Sequence, residues 1–333
     1  MRFGLRLPAF ALGSDTAPLA EMGRYLRRAE ALGFDAAMTI DHLLTTPPAY
    51  ACTWLEPVAL LAALAGITER IRLGTLVLVL PLRNPPQLAK EWATLDVLSG
   101  GRTIFGVGVG WAAPEFEALG VPRAERGRRT DEALELITAL WAGRPVTYAG
   151  RHYRVRDLTL EPTPVQTPRP PVWIGGGSQP FERIYGQPTP DVTPVMRRVA
   201  RHADAWVPHS SATPEMVERD WAVLERVAPE FGRRAADVEV VYSNFVHVLR
   251  PGEPAASAAP RFRRFSGMDL DYWRTHYLLG EAAEIADRVA RRRGAVGGHM
   301  DWVLLNPVDW DLEQLERLAA EVVPGIRAAV AGG

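Results

Sequence analysis

Residues Ile104 to Trp141, IFGVGVGWAAPEFEALGVPRAERGRRTDEALELITALW, decide the architecture of this chain. The opening Ile104-Phe105-Gly106-Val107-Gly108-Val109-Gly110 is apolar or small at every position. A run without alternation predicts a strand covered on both faces, as in a parallel sheet. At the other end, Ala133, Leu134, Ile137, Leu140 and Trp141 fall on one face of a helix. The loop between them carries Trp111, Glu115, Phe116, Arg123, Arg126 and Arg128. In parallel α/β proteins ligands bind at the loops that leave the C-terminal ends of strands, so this loop is one wall of the expected site. The glycines are spaced Gly-x-Gly-x-Gly rather than G-x-G-x-x-G, and the helix starts only after the loop, which excludes a dinucleotide fingerprint. They read equally well as small residues that let a barrel strand pack closely.

The same unit recurs in both directions. Upstream, strands are expected at Phe3–Leu7, Phe34–Ile40 and Ile71–Leu80, separated by helices ending near Leu32, Leu64 and Leu98. Downstream, strands at Val172–Ile174, Asp204–His209, Val238–Leu249 and Met300–Asn306 alternate with helices at Pro194–His202, Pro214–Val227, Glu281–Arg293 and Leu312–Val322. Strand and helix thus alternate eight times, which predicts an α/β fold: a single (β/α)8 TIM-like barrel over residues 1–333. Two insertions interrupt it, near 143–171 (proline-rich, with a hairpin around Ala149-Gly150) and near 251–280. Gln179–Thr193 reads as a further inserted loop. A doubly wound sheet is the alternative, and it lacks the fingerprint at a switch point.

Composition narrows the function. The formal net charge is -1, which argues against nucleic acid or an anionic membrane as partner. No apolar run approaches the roughly 20 residues that span a bilayer. Cys52 is the only cysteine, so no internal disulfide can form and a reducing, cytoplasmic location is expected. No H-x-x-x-H or C-x-x-C pair suggests a metal, and no nucleophile elbow suggests a serine hydrolase. The expected partner is a small-molecule substrate, with a homodimer left open.

The wording of Gly106–Trp141, together with Met1–Gly110 and Pro170–Trp206, resembles the luciferase-like monooxygenase superfamily, especially its coenzyme F420-dependent oxidoreductase branch. The resemblance implies that Asp41-His42, at the end of the second strand, faces the cofactor ring. His42 would be the catalytic proton relay, a task suited to imidazole near neutral pH. Asp41 would orient that ring or meet the hydroxylated chain of the cofactor. Without the resemblance, a lone strand-end histidine is more often structural.

The resemblance also implies a non-proline cis bond at Leu76-Val77 behind the ring, and cofactor contacts at Val109. It places the cofactor phosphate at Gly175-Gly176-Gly177-Ser178, where glycine amides can approach an anion. Trp54, Trp111 and Phe116 are the substrate-binding candidates. The glutamate that one sugar-phosphate dehydrogenase type carries where Trp111 stands is missing, so that role is not carried over. Glu115 either lines the site or pairs with Arg126 or Arg128. Arg123, Arg126, Arg128 and Arg183 could hold the acidic tail of F420. The reading is hydride transfer between F420 and a small organic substrate. The alternatives are an FMN-dependent monooxygenase using O₂ and a catalytically silent barrel that binds a flavin or a partner.

Overall fold

Each apolar run forms a strand, and the eight strands close on themselves. In the computed structural model, which describes residues 1–8, 10–11, 19–47, 50, 52–180, 182, 188 and 190–331, they are β1 (Arg2–Arg6), β2 (Ala36–Thr39), β3 (Arg72–Thr75), β4 (Thr103–Gly108), β5 (Val172–Gly175), β6 (Ala205–Val207), β7 (Glu239–Val248) and β8 (Met300–Pro307). Each pairs in parallel with the next, and β1 pairs with β8 through Arg2↔Trp302 and Gly4↔Leu304, which completes the ring. The connecting helices are α1 (Leu19–Ala31), α2 (Pro57–Ala65), α3 (Pro85–Leu98), α4 (Arg126–Leu140), α5 (Thr193–His202), α6 (Pro214–Val227), α7 (Ala282–Gly294) and α8 (Leu312–Arg317). Among the described residues no helix is long and apolar enough to cross a membrane.

Alternation along each strand sorts side chains between two cores. Phe3 and Leu5 of β1 pack outward among the helices. Ala36, Met38, Ile104, Trp173, Val241, Trp302 and Leu304 fill the barrel interior, as a closed barrel of this size requires. The glycines of β4 serve this packing. A Cβ on Gly106 would overlap the backbone carbonyl oxygen of Thr75, and one on Gly108 would lie 2.6 Å from Cγ2 of Val77.

The third strand is not continuous over Ile71–Leu80. It breaks after Thr75 and resumes as Leu78–Val79, paired with Val107-Gly108. The Leu76-Val77 bond between the pieces is cis, as the resemblance implies.

The insertions are more ordered than their composition suggests. In the first, Val146–Ala149 and Arg154–Leu158 form an antiparallel hairpin. Its turn is tied down by the Glu132 carboxylate, which accepts from the amides of Arg151, His152 and Tyr153. The returning chain is held by buried Asp96, which accepts from the amides of Val165 and Gln166 and from the Thr103 hydroxyl. The second insertion contains helices at Ala259–Arg263 and Leu270–His276 and a strand, Leu278–Gly280, parallel to β7. Its Phe262, Phe265, Tyr272, Trp273 and Tyr277 pack with Phe245 of β7 and Cys52 into a separate aromatic core. The Gln179–Thr193 loop falls largely outside the described residues.

Candidate active site

β2 delivers Asp41 and His42 to the mouth of the barrel, and the two side chains turn to different tasks. Asp41 is buried. Its Oδ2 accepts from the amide of Val79 at 2.9 Å and its Oδ1 from Arg83 at 2.7 Å. Burial pushes its pKa up, and Arg83 and the Val79 amide only partly oppose this. Both oxygens are therefore committed to joining the exit of β2 to the resumed third strand.

His42 turns instead to Glu115, which lies on a short helix, Ala113–Ala118, in the loop after β4. Nδ1 is 3.0 Å from Glu115 Oε1, and the same oxygen accepts from the amides of Leu43 and Leu44 at 2.8 and 3.2 Å. Glu115 is 1% exposed. Burial raises its pKa, but His42 and the amides of Leu44 and Leu43 outweigh this and hold it below the ordinary glutamate value. An ionised carboxylate can only accept, so Nδ1 carries the hydrogen and Nε2 is the nitrogen left for other chemistry. Glu115 thus pairs with His42 and not with Arg126 or Arg128.

The sign of the pH effect follows from the lowered pKa. Glu115 adds stability that is complete above its unfolded value, ordinarily 4.5, and is lost as pH falls through the lower folded value. Unfolding midpoints of wild type and Glu115→Gln, measured from pH 7 to pH 3, should converge on acidification. Parallel curves would remove the ionised state argued for this carboxylate.

Aromatic rings wall this pair. The rings of Tyr50, Trp111 and Trp54 lie 5.4, 5.8 and 6.3 Å from that of His42. Tyr50 and Trp54 meet edge to face at 5.8 Å. Phe116 does not join them. It is 1% exposed and packs under Gly110, whose Cβ would lie 3.2 Å from the ring, so its place in the substrate wall is withdrawn. Leu76 is buried in the barrel interior, Val109 is half-buried just past β4, and Val77 is wedged between Gly108 and Gly175.

Donors of the glycine-serine run after β5 at Gly176 and Ser178 are already engaged within the protein. Gly175 packs against Val77, its Cβ position 2.6 Å from Cγ1. Gly176 and Gly177 have φ of 146° and 135°, a backbone open to glycine. The Gly176 amide donates to Val207 O at 3.1 Å. Ser178 donates its amide and hydroxyl to the buried carboxylate of Asp220 at 2.6 and 2.7 Å. A phosphate bound through Gly176 or Ser178 would have to displace these partners, so those two are corrected as phosphate donors.

Cationic groups stand elsewhere. Arg126, at the start of α4, donates to the carbonyl of Arg123 at 3.0 Å, and burial and the charges of Arg123 and Arg198 pull its pKa down. Arg128 is exposed, and Arg183 lies outside the described residues. No cluster fit to hold a metal occurs among the described residues.

One site residue escaped the reading of the sequence. Arg6, at the C-terminal end of β1, is 6% exposed, and its guanidinium lies 4.2 Å above the ring of Phe245. The signal was there: Gly4 and Arg6 share the inward register of β1, and an inward arginine needs a reason.

The chain and its fold have known counterparts. Residues 1–303 match the luciferase-like monooxygenase family. The chain is 34% identical over 253 residues, 72% of its length and 66% of the relative's, to an F420-dependent glucose-6-phosphate dehydrogenase of Microbacterium testaceum. Matches to the first curated relatives span between about half and two thirds of those proteins. Among solved structures, a monooxygenase from Streptomyces bottropensis superposes with a TM-score of 0.78 at 23% identity, covering 97% of this chain and 99% of that one. An F420-dependent secondary alcohol dehydrogenase in complex with an F420-acetone adduct gives 0.78 at 19% identity, covering 98% and 99%. At these identities the two structures establish the barrel alone. The family match carries the assignment: the chain belongs to the luciferase-like monooxygenase family.

Proposed function

We propose that this protein is an oxidoreductase that exchanges a hydride between coenzyme F420 and a small organic substrate. The observation that carries the reading is the His42–Glu115 pair, which fixes one imidazole nitrogen and leaves Nε2 for a proton. Bound F420 would supply a two-electron hydride acceptor or donor at its deazaflavin C5. The residues fit the planar ring: Tyr50, Trp54 and Trp111 offer flat apolar walls around His42, and Val77 is wedged between two glycines. In the oxidising direction His42 Nε2 takes the proton of a substrate hydroxyl, and Glu115 stabilises the imidazolium that results. In the reducing direction Nε2 returns a proton to the substrate oxygen. An acidic tail would be met by Arg123 and Arg126, which follow Glu115 along the chain.

Titration of the full chain with F420 and with FMN tests the cofactor. F420 should bind more tightly, with affinity falling as salt rises, because its tail contacts would be exposed ion pairs. Turnover should continue without oxygen. Tight FMN binding with product formed only in the presence of O₂ would replace this reading with the monooxygenase.

A further inference from the structure

We propose that Arg6 is the substrate anchor of this site, and that the substrate presents to it a carboxylate. The inference names the substrate class for the function proposed above and rests on that reading for the substrate's position beside His42.

Arg6 points into the barrel because Phe3 and Leu5, which flank Gly4, face the helices. Its guanidinium stacks on Phe245, and the Tyr50 phenol lies close enough to favour its charge. Its Nη2 is buried with no hydrogen-bond partner among the described residues, and so is the indole N–H of Trp54. Tyr50 touches both neighbourhoods: its ring lies 5.8 Å from Trp54, 5.4 Å from His42 and 6.3 Å from Phe245. Two orphan donors and the relay histidine therefore surround one tyrosine.

Among the described residues no salt bridge joins Arg6 to a carboxylate. Arginine keeps its proton in proteins, although burial works against the charge. Its neighbours are neutral at pH 7: burial pushes the Cys52 thiol up to about 12, pushes the Tyr50 and Tyr277 phenols up, and brings His209 down to about 4, helped by Arg6 and His276. The carboxylates of the site are bound to other partners, Asp41 to Arg83 and Glu115 to His42. An unpaired buried charge is destabilising, and a neutral side chain of similar size would serve packing better. A planar guanidinium with free N–H groups matches a carboxylate in a way that a point charge does not. Surrounding aromatics add that the group attached to the carboxylate is apolar.

The test uses benzoate and benzamide, which share shape and differ in charge, titrated into the full chain with tryptophan fluorescence as readout. Benzoate should bind wild type at least about 30-fold more tightly than benzamide. In Arg6→Met benzoate affinity should fall by roughly 10²-fold or more, in keeping with loss of one partner of a buried charge pair. The melting temperature should stay the same or rise, because the unpaired charge is gone. F420 affinity, measured separately, should not change.

Equal binding of the two probes to wild type, or no benzoate binding, would overturn the proposal, and this arm stands even if Arg6→Met does not fold. Unchanged benzoate affinity in Arg6→Met would also overturn it. So would a lowered melting temperature, which would make Arg6 a structural residue, or a loss confined to reduced F420, which would assign the charge to the cofactor ring. Failure of wild type to bind F420 would count against the proposed cofactor and leave the probe comparison intact.

Discussion

His42→Ala is expected to lower turnover by about 10²–10⁴-fold, the usual worth of a general acid–base group. The side chain touches two things: Glu115 through Nδ1, and an aromatic enclosure formed by Tyr50, Trp54 and Trp111. Removing it takes the proton relay away but leaves Glu115 with the amides of Leu43 and Leu44. The carboxylate keeps two of its donors, so the loss of stability should be modest, on the order of one hydrogen bond to a charged group, about 1.5–3 kcal/mol. His42→Gln separates the two effects. It can still donate to Glu115 but cannot relay a proton, so its turnover should fall as far while its melting temperature falls less. If turnover in the two variants instead tracks their melting temperatures, His42 holds the site together and the relay must be sought elsewhere.

Gly106→Ala should be the most damaging alanine substitution among the described glycines of this chain. Its Cβ would overlap the carbonyl oxygen of Thr75, which is backbone and cannot rotate away. β3 and β4 are hydrogen-bonded neighbours at Leu73↔Thr103 and Gly74↔Ile104, so relief requires parting two strands of a closed ring. Losses above about 4 kcal/mol are rare for point mutants and need a mechanism of this kind. Gly294→Ala is the control. It lies at the end of α7 with no atom within 4 Å of the added carbon, and should be neutral or stabilising by up to about 1 kcal/mol. Urea midpoints of the two variants would decide. A Gly106→Ala protein as stable as wild type would mean that the glycines of β4 are not there for packing.

The barrel was legible because its signals are local. Each strand is a short apolar run and each helix repeats its apolar residues at helical spacing, so eight alternations could be counted along the chain. Strand ends followed from the same pattern, which is why Asp41 and His42 could be placed at the mouth of the barrel before any coordinates. The internal order of the second insertion was not legible, because its aromatics pair with Phe245 and Cys52 across the fold, and that leaves no period in the sequence.

What only the tertiary structure decided is which side chains meet. Glu115 stands 73 positions after His42, and nothing in its own neighbourhood distinguishes a partner on β2 from an arginine on the next helix. Ser178 looked like a phosphate donor until Asp220, 42 positions on, was found holding both its amide and its hydroxyl. Phe116 and Trp111 are both aromatics of one loop, yet one packs beneath Gly110 and the other faces His42. Arg6 was plain in the sequence as a residue but not as a charge without a partner. That property belongs to the enclosure, because it depends on the described carboxylates of the site, Asp41 and Glu115, already being claimed. Periodicity is written in each segment separately and determined the barrel; pairing is a property of segments brought together and needed the closed ring to be seen.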